Sequence, residues 1–288
     1  MMVRNYNFGI SLKLLNLLFF TSTSLLFLSL KTSIPAFQIF FLISVTGLAI
    51  MLPWLLTVKE ARLKIRSYKL YFYRALYNII GMVSWVEALK YISLNEAYSI
   101  DYMTPIFTTI LAVLFCNEKL SLKSFIILLI SSFGVYIIIS SDYTVNLNDG
   151  TTIGVFATFM WSCYNIICKL QSSEDIVAQT FYTFLFTVIL SLPIALFIWK
   201  PITYDELCTI PVLALLTIFS SITLFSAYKT TPIVILMPFT FSKVLFIEFG
   251  MYIFFEDTIS KHALIGVIII LIAMGYFFHQ QHKGKVSH

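Results

Sequence analysis

Charged residues are scarce in this chain. Only 11% of its 288 residues are Asp, Glu, Lys or Arg, whereas an ordinary soluble domain has about 25%. Hydrophobic residues make up 59%, and the mean hydropathy is +0.90. Such a chain cannot give a folded domain a charged, hydrated surface. This excludes an ordinary soluble enzyme and a disordered protein, and it indicates that lipid is the solvent.

Several patterns that would indicate other functions are also missing. The four cysteines form no CxxC pair, and His279 and His282 lack a third ligand, so no metal site is predicted. No GxxxxGKS/T, HExxH or GxSxG motif occurs, which argues against ATP-driven transport and against an enzyme. The net charge of +5 is not gathered on one hydrated face, so nucleic-acid binding is not expected. No cofactor is expected.

Ten apolar runs are each long enough to cross a bilayer as a helix. They are far longer than the roughly ten residues of a membrane β-strand. The sequence therefore predicts an all-α integral membrane protein with ten transmembrane helices. The first five spans cover approximately residues 10–30, 34–57, 70–92, 97–116 and 122–140. The second five cover approximately residues 152–170, 176–199, 210–228, 233–255 and 262–278.

The basic residues predict the orientation of these spans. With the N-terminus inside, most Lys and Arg residues fall in inner segments, above all in the loop 59–69. Outer loops then hold only Lys31, Lys90, Lys200 and Lys261. Because short loops rich in basic residues stay in the cytoplasm, both termini are predicted to be cytoplasmic, in a multi-pass protein of the inner (plasma) membrane.

The two halves of the chain resemble each other. Four features recur in the same order, about 140 residues apart: Gln38 and Gln179, Pro53 and Pro193, Lys90 and Lys229, and Glu118 and Glu256. This pattern predicts one five-helix repeat over residues 1–141 and a second over residues 142–288, which includes a short tail. An odd number of spans inverts the second repeat relative to the first, and inverted repeats are typical of secondary transporters.

Charges inside the spans indicate where a substrate would bind, because a charge at the bilayer centre costs roughly 2.5–3.5 kcal/mol. Lys243 lies near the middle of span nine, where it either lines a cavity or forms a buried structural ion pair. Asp101 shares a small polar helix face with Ala97, Thr104 and Thr108. That face is either a cavity wall or places an acid at the outer headgroups.

A second stripe follows one face of span three. Arg74, Asn78, Gly81, Trp85 and Ala88 are spaced at steps of three and four residues. Arg74 either has a functional role or extends to the inner headgroups.

Span six carries a third polar stripe. Thr158, Ser162 and Asn165 share one face, beside Trp161. Small polar residues often join membrane helices, so helix packing is the alternative to ligand binding here. The rings of Trp85 and Trp161 suit a cationic or heterocyclic ligand.

The other charges within the spans have simpler explanations. Glu248 either pairs with Lys243 or faces the same cavity. Glu87 is predicted to form a local salt bridge with Lys90, and Lys13 is predicted to extend its ammonium to the membrane surface.

Prolines predict two interrupted helices. Pro105 in span four and Pro238 in span nine are expected to kink or loosen these spans, which lets backbone groups face a cavity. The candidate substrate-binding residues are Lys243, Asp101, Arg74, Trp85, Trp161, Asn165 and Glu248.

Two blocks, Pro105–Phe107 leading to Leu114–Glu118 and Phe156–Ser162, resemble the EamA-type branch of the drug/metabolite transporter superfamily. The resemblance covers nearly the whole chain and implies two inverted five-helix repeats. The family often has Gly before the glutamate that ends span four, where this chain has Asn117, and Lys243 stands where the partner of Pro105 is expected. Within the family, residues 81–85, 105–118 and 190–193 resemble S-adenosylmethionine uptake transporters of obligate intracellular bacteria.

The resulting prediction is a secondary transporter of a small organic metabolite, with S-adenosylmethionine as substrate. Asp101 and Glu248 would attract its cationic groups, Trp85 or Trp161 would contact the sulfonium or the adenine, and Lys243 would hold the carboxylate. The alternatives are an exporter of amino acids or amphiphilic metabolites, and a membrane-embedded enzyme or receptor-like protein. The expected partners are the substrate and the lipid bilayer, and a homodimer is compatible with this prediction.

Overall fold

The computed structural model describes residues 6–29, 34–57, 63–92, 94–140, 149–255, 265–273 and 275–276. Within these residues the chain is helical and contains no β-strand. The helices are α1 (Tyr6–Ser29), α2 (Ala36–Thr57), α3 (Tyr68–Ala88), α4 (Leu94–Asp101), α5 (Thr104–Phe115), α6 (Leu122–Ser140), α7 (Asp149–Leu170), α8 (Ile176–Phe197), α9 (Tyr204–Thr230), α10 (Ile233–Leu236), a 3-10 helix (Met237–Ser242) and α11 (Lys243–Phe255). Residues 265–273 are also helical.

Six of the described helical runs are long and apolar enough to cross a membrane: α1, α2, α7, α8, α9 and the run from α10 to α11. The surfaces of the helices suit lipid, because large apolar side chains such as Leu114 and Phe197 are 66% and 91% exposed. Helices α5 and α6 are apolar but contribute shorter apolar stretches. The predicted total of ten spans therefore stays a prediction.

Local side-chain chemistry fixes where several helices begin. The Asp175 carboxylate precedes α8 and accepts the backbone N–H of Val177 at 2.8 Å. Helix α9 begins with a capping box, in which Thr203 and Glu206 bond to each other's backbone N–H groups. Each cap satisfies donors that have no partner inside the helix, and it therefore fixes the register of the helix start.

Asn117 ends α5 with a left-handed backbone, at φ +52°. This turn lets the N–H groups of Cys116 and Glu118 both reach the carbonyl of Ala112, at 2.9 and 3.5 Å. Glycine adopts such a φ without steric cost, and Asn tolerates it better than most residues. The geometry explains why the related proteins often have Gly where this chain has Asn.

Two of the predicted spans are interrupted, as the prolines indicated. Span four is divided, because α4 ends at Asp101 and α5 begins at Thr104, with Pro105 in its first turn. Span nine changes from α10 to a 3-10 helix that contains Pro238, and then continues as α11. The second break follows the first by about 138 residues, the same spacing that separates Glu118 from Glu256.

Helices from the two halves of the chain pack against each other. Helix α1 lies along α9, α3 lies along α7, and α2 lies along α8. Helices α4 and α5 contact α7, and the run from α10 to α11 contacts α1. Gln38 joins α2 to the end of α8, because its amide exchanges hydrogen bonds of 2.7 and 2.8 Å with the backbone of Lys200. The two helix breaks therefore lie inside a bundle that both halves build.

Candidate functional site

The two helix breaks bring opposite charges together. Asp101 is the last residue of α4 and Lys243 is the first residue of α11, and the Lys243 ammonium donates to the Asp101 carboxylate. Their side chains are only 15% and 8% exposed. The Thr104 hydroxyl donates to the other Asp101 oxygen at 3.1 Å. Asp101 is therefore a buried partner of Lys243 and not an acid at the headgroups, while a cavity-lining role for the pair stays a prediction.

Two aromatic rings add to the surroundings of the Lys243 ammonium, which lies 5.0 Å from the ring centroid of Tyr102 and 5.9 Å from that of Phe20. Contacts of this kind are worth about 0.5–2 kcal/mol, depending on how far the cation is desolvated. The sequence analysis missed both rings. The position of Tyr102 directly after Asp101 was a usable signal, but Phe20 lies on α1, and no sequence pattern connects it to Lys243.

Lys13 corrects one prediction. Its ammonium does not extend to the membrane surface, because the residue is 5% exposed and donates to the Asn16 side chain at 3.2 Å. The Asn16 amide in turn donates to the backbone and hydroxyl oxygens of Ser220, at 3.0 and 2.9 Å. The prediction was wrong because the close packing of α1 on α9 encloses Lys13.

Arg74 is also buried, at 1% exposure, so the alternative that it extends to the headgroups is wrong. Its guanidinium donates to the Gln171 side chain at 2.7 Å and to the backbone oxygen of Gln179 at 3.3 Å. A third bond reaches the hydroxyl of Thr183. The Phe225 ring centroid lies 4.4 Å from the guanidinium carbon. Arg74 thus links α3 to α8, to α9 and to the segment after α7.

Trp85 and Trp161 lie together, with ring centroids 5.3 Å apart and planes inclined by 49°. Gly81 makes room for this arrangement, since a Cβ atom at its position would be 2.7 Å from the indole nitrogen of Trp161. The predicted aromatic pair therefore exists. Its contact with a ligand stays a prediction.

The polar stripe of α7 takes part in helix packing. The Asn165 side chain accepts a hydrogen bond from the Tyr228 hydroxyl at 3.0 Å, which ties α7 to α9. The Ser162 hydroxyl donates to the backbone oxygen of Thr104 at 3.2 Å, at the start of α5. These bonds match the packing alternative and leave a ligand-binding role of Asn165 as a prediction.

The two remaining acids in this part of the analysis lie apart from the buried pair. Glu248 is half-buried on α11, five residues beyond Lys243. Glu87 and Lys90 form the predicted local salt bridge, at 2.6 Å, with side chains that are 41% and 61% exposed. The Glu87–Lys90 prediction is confirmed.

A further polar cluster joins the two halves at the end of the bundle where α9 meets α10. The two Glu118 carboxylate oxygens accept the backbone N–H groups of Ile233 and Val234, at 2.9 and 3.0 Å. Lys169 lies 3.3 Å from Glu118 and donates to the backbone oxygen of Thr231 at 2.8 Å. The sequence analysis noted Glu118 only as a repeated feature and counted Lys169 only toward orientation.

A shallow pocket of about 330 Å³ lies at the start of α3 and contains none of the candidate residues. Its lining consists of Tyr68, Lys69, Phe72, Tyr73 and Phe186. Within the part of the chain that the structure describes, no cluster of His, Cys, Asp and Glu suits a metal ion. The buried charges of α3, α4 and α11 therefore define the candidate site better than this pocket does.

Long apolar helices, two interrupted spans and an ion pair enclosed at the interruptions are features of membrane transporters rather than of enzymes. The model of the EamA-like transporter family matches residues 7–140 and, a second time, residues 150–278. The chain belongs to the EamA-like transporter family. It is a multi-pass membrane transporter that lies in the lipid bilayer and binds a small-molecule substrate.

Individual relatives are distant but extend over the full length. An S-adenosylmethionine uptake transporter of Rickettsia bellii is 23% identical over 282 residues, which cover 98% of this chain and 97% of the relative. One of Rickettsia prowazekii is 22% identical and covers 99% and 97%. A riboflavin transporter of Vibrio cholerae is 24% identical over 149 residues, or 51% and 50% of the two chains. A solved crystal structure aligns with 92% of this chain and 94% of its own, at a TM-score of 0.77 and 15% identity, which shows a shared fold.

Proposed function

We propose that the chain is a secondary transporter that takes up or exchanges S-adenosylmethionine across the inner membrane by alternating access. The observation that carries the proposal is the enclosed Asp101–Lys243 pair at the two helix breaks. Interrupted spans in corresponding positions of two halves are the arrangement in which transporters of this type bind their substrates. Relatives named for S-adenosylmethionine uptake, which align along their full length, support this substrate.

The packing of the helices supports two inverted five-helix repeats over residues 1–141 and 142–288. If spans one to five correspond to spans six to ten, the contact of α1 with α9 corresponds to the contact of α7 with α3. The contact of α2 with α9 likewise corresponds to the contact of α8 with α3, and α2 with α8 corresponds to itself. Two similar halves in opposite orientation can exchange conformations, and the exchange opens one central site to each side in turn.

The ends of the helices support the proposed topology. A Cβ atom at Gly9, near the start of α1, would collide with Thr231, which also bonds to Lys169 near the end of α7. Glu118, just after α5, belongs to the same cluster. The basic residues predict that all of these positions lie on the inner side. We therefore propose cytoplasmic termini, while a homodimer stays a prediction.

The Asp101–Lys243 pair suggests how a cationic substrate could drive the change of state. A sulfonium or ammonium that approaches Asp101 would replace Lys243 as the partner of the carboxylate, so the acid would keep a counter-charge. The released Lys243 would no longer hold α11 to α4, and the ligand would favour the state in which the breaks are apart. The adenine or the sulfonium would contact the rings of Trp85 and Trp161.

Uptake of radiolabelled S-adenosylmethionine into a heterologous host tests the proposal. Cells that carry the protein should accumulate label above the empty-vector control, and unlabelled S-adenosylhomocysteine should compete. Lys243→Met should abolish uptake, while Lys90→Met, which removes an exposed lysine from the Glu87 salt bridge, should leave it intact. No uptake by cells whose membranes contain the folded protein would reject this substrate.

A second candidate substrate is riboflavin, because riboflavin transporters match about half of this chain. Labelled riboflavin in the same cells distinguishes the two substrates. Cells that are preloaded with labelled amino acids or amphiphilic metabolites test the remaining alternative, which is export. Faster loss of label from cells that carry the protein would favour export.

A further inference from the structure

The positive charge of Arg74 has no nearby acid to balance it. Lys243 has Asp101 within ion-pair distance and Lys169 has Glu118, whereas no acid of the described residues lies within 4.0 Å of the Arg74 guanidinium. Arg74 is 1% exposed, so water does not replace the missing partner. A buried charge without a counter-ion is unfavourable unless another group compensates it.

The Arg74 cluster also has unused hydrogen-bond donors. Neither the Nε of Arg74 nor the Nε2 of Gln171 has an acceptor, and Gln171 is also 1% exposed. The two residues are in direct contact, because Arg74 Nη1 donates to Gln171 Oε1 at 2.7 Å. Gln179, whose backbone oxygen accepts from Arg74, contributes one unpaired acceptor, its Oε1. The cluster thus has two free donors and a positive charge, against one free acceptor.

Aromatic rings surround this guanidinium. Besides Phe225, the rings of Tyr71 and Tyr164 have centroids 5.4 and 5.7 Å from its carbon. The acid next to this cluster, Glu174, is already bound, because it accepts from the Tyr71 hydroxyl at 2.5 Å and from the backbone N–H of Arg66 at 3.2 Å. An anion that reached Arg74 would meet a site of low polarity, where a charge-assisted hydrogen bond is strong.

We infer that Arg74 binds the carboxylate of the transported molecule, at a subsite separate from the Asp101–Lys243 pair. This inference rests on the proposed transport function and corrects the assignment of the carboxylate to Lys243, whose charge Asp101 already balances. A carboxylate suits the cluster because its two oxygens can accept from the guanidinium and from the Gln171 amide together. A ligand with a cationic and an anionic end would then contact Asp101 with one end and Arg74 with the other.

Two ligands that differ only in the carboxylate test the inference. S-adenosylmethionine and its decarboxylated form are titrated against the purified full-length protein in lipid nanodiscs. Wild type should bind the carboxylate form at least tenfold more tightly. Arg74→Gln should bind the two forms within twofold of each other, Arg74→Lys should recover part of the preference, and Lys243→Gln should keep the full ratio. Size-exclusion profiles establish that each variant is folded, and Arg74→Lys serves where Arg74→Gln fails to fold.

A preference for the carboxylate form that persists in Arg74→Gln, or that disappears in Lys243→Gln, would overturn the inference. Equal binding of both forms by wild type would also overturn it, without affecting the S-adenosylmethionine assignment. Bromide in crystals of the full chain gives an independent measurement, because its anomalous scattering locates an anion whatever the substrate is. A bromide peak at Arg74 that is lost in Arg74→Gln, together with no binding of S-adenosylmethionine, would retain the anion site and reject the substrate. No peak and no carboxylate preference would reject the anion site.

Discussion

Removal of one partner from the Asp101–Lys243 pair should destabilise the protein more than removal of both. Lys243→Met leaves the Asp101 carboxylate buried, with the Thr104 hydroxyl as its remaining hydrogen-bond partner. Breaking a buried pair in this way costs about 3–5 kcal/mol. Asp101→Asn leaves the Lys243 ammonium without an anion and should cost a similar amount. Because the double variant buries no unpaired charge, it should recover most of the lost stability.

The three variants are compared by thermal unfolding in detergent and by substrate uptake. We expect the double variant to unfold close to the wild-type temperature and yet to transport nothing, because the pair serves transport as well as folding. The exposed Glu87–Lys90 pair is the matched control, and its removal should change neither measurement. Normal uptake by the folded double variant would refute the proposed role of the pair. Wild-type stability of both single variants would refute its burial.

Three further substitutions follow from the local geometry. Asn117→Ala should lower the free energy of unfolding by about 1 kcal/mol because φ is +52°, whereas Asn117→Gly should not, and thermal unfolding compares the two. Gly81→Ala places a methyl group 2.7 Å from the Trp161 nitrogen, so it should shift the tryptophan emission and destabilise the fold by about 1–3 kcal/mol. Glu118→Ala removes the acceptor of two backbone N–H groups and the partner of Lys169, and it should destabilise the fold by about 3 kcal/mol in urea or thermal unfolding.

The positions of the helices and of their interruptions were readable from the sequence. Long apolar runs predict membrane helices because the bilayer sets their length. Pro105 and Pro238 predict the breaks because proline lacks the N–H that an unbroken helix requires. These signals are local, so each can be recognised without knowledge of the neighbouring helices.

The partners of the buried charges were not readable in the same way. Asp101 and Lys243 each stood out as a charge in an apolar span, but their pairing joins residues 142 positions apart. Lys13 was misplaced because its enclosure depends on how α1 packs on α9, where Asn16 bonds to Ser220 at a separation of 204 residues. Depth in a bundle follows from helix packing, which single-sequence periodicity does not contain.

The Glu118 cluster shows a related difficulty. Its acceptor is a side chain, but its donors are backbone N–H groups at the start of α10, more than a hundred residues later. Backbone groups leave no mark in the residue types, so no motif announces this contact. Arg74 was selected as a candidate from its stripe on α3, but its missing counter-ion became visible only in three dimensions.

Counterflow in proteoliposomes tests the central claim most directly. Vesicles that contain only the purified protein are preloaded with unlabelled S-adenosylmethionine and diluted, without ATP, into a trace of labelled ligand. A secondary transporter with one site that faces each side in turn should accumulate the label transiently inside the vesicles. Lys243→Met vesicles should show no such accumulation. Label that stays at the level of protein-free liposomes would contradict S-adenosylmethionine transport by alternating access.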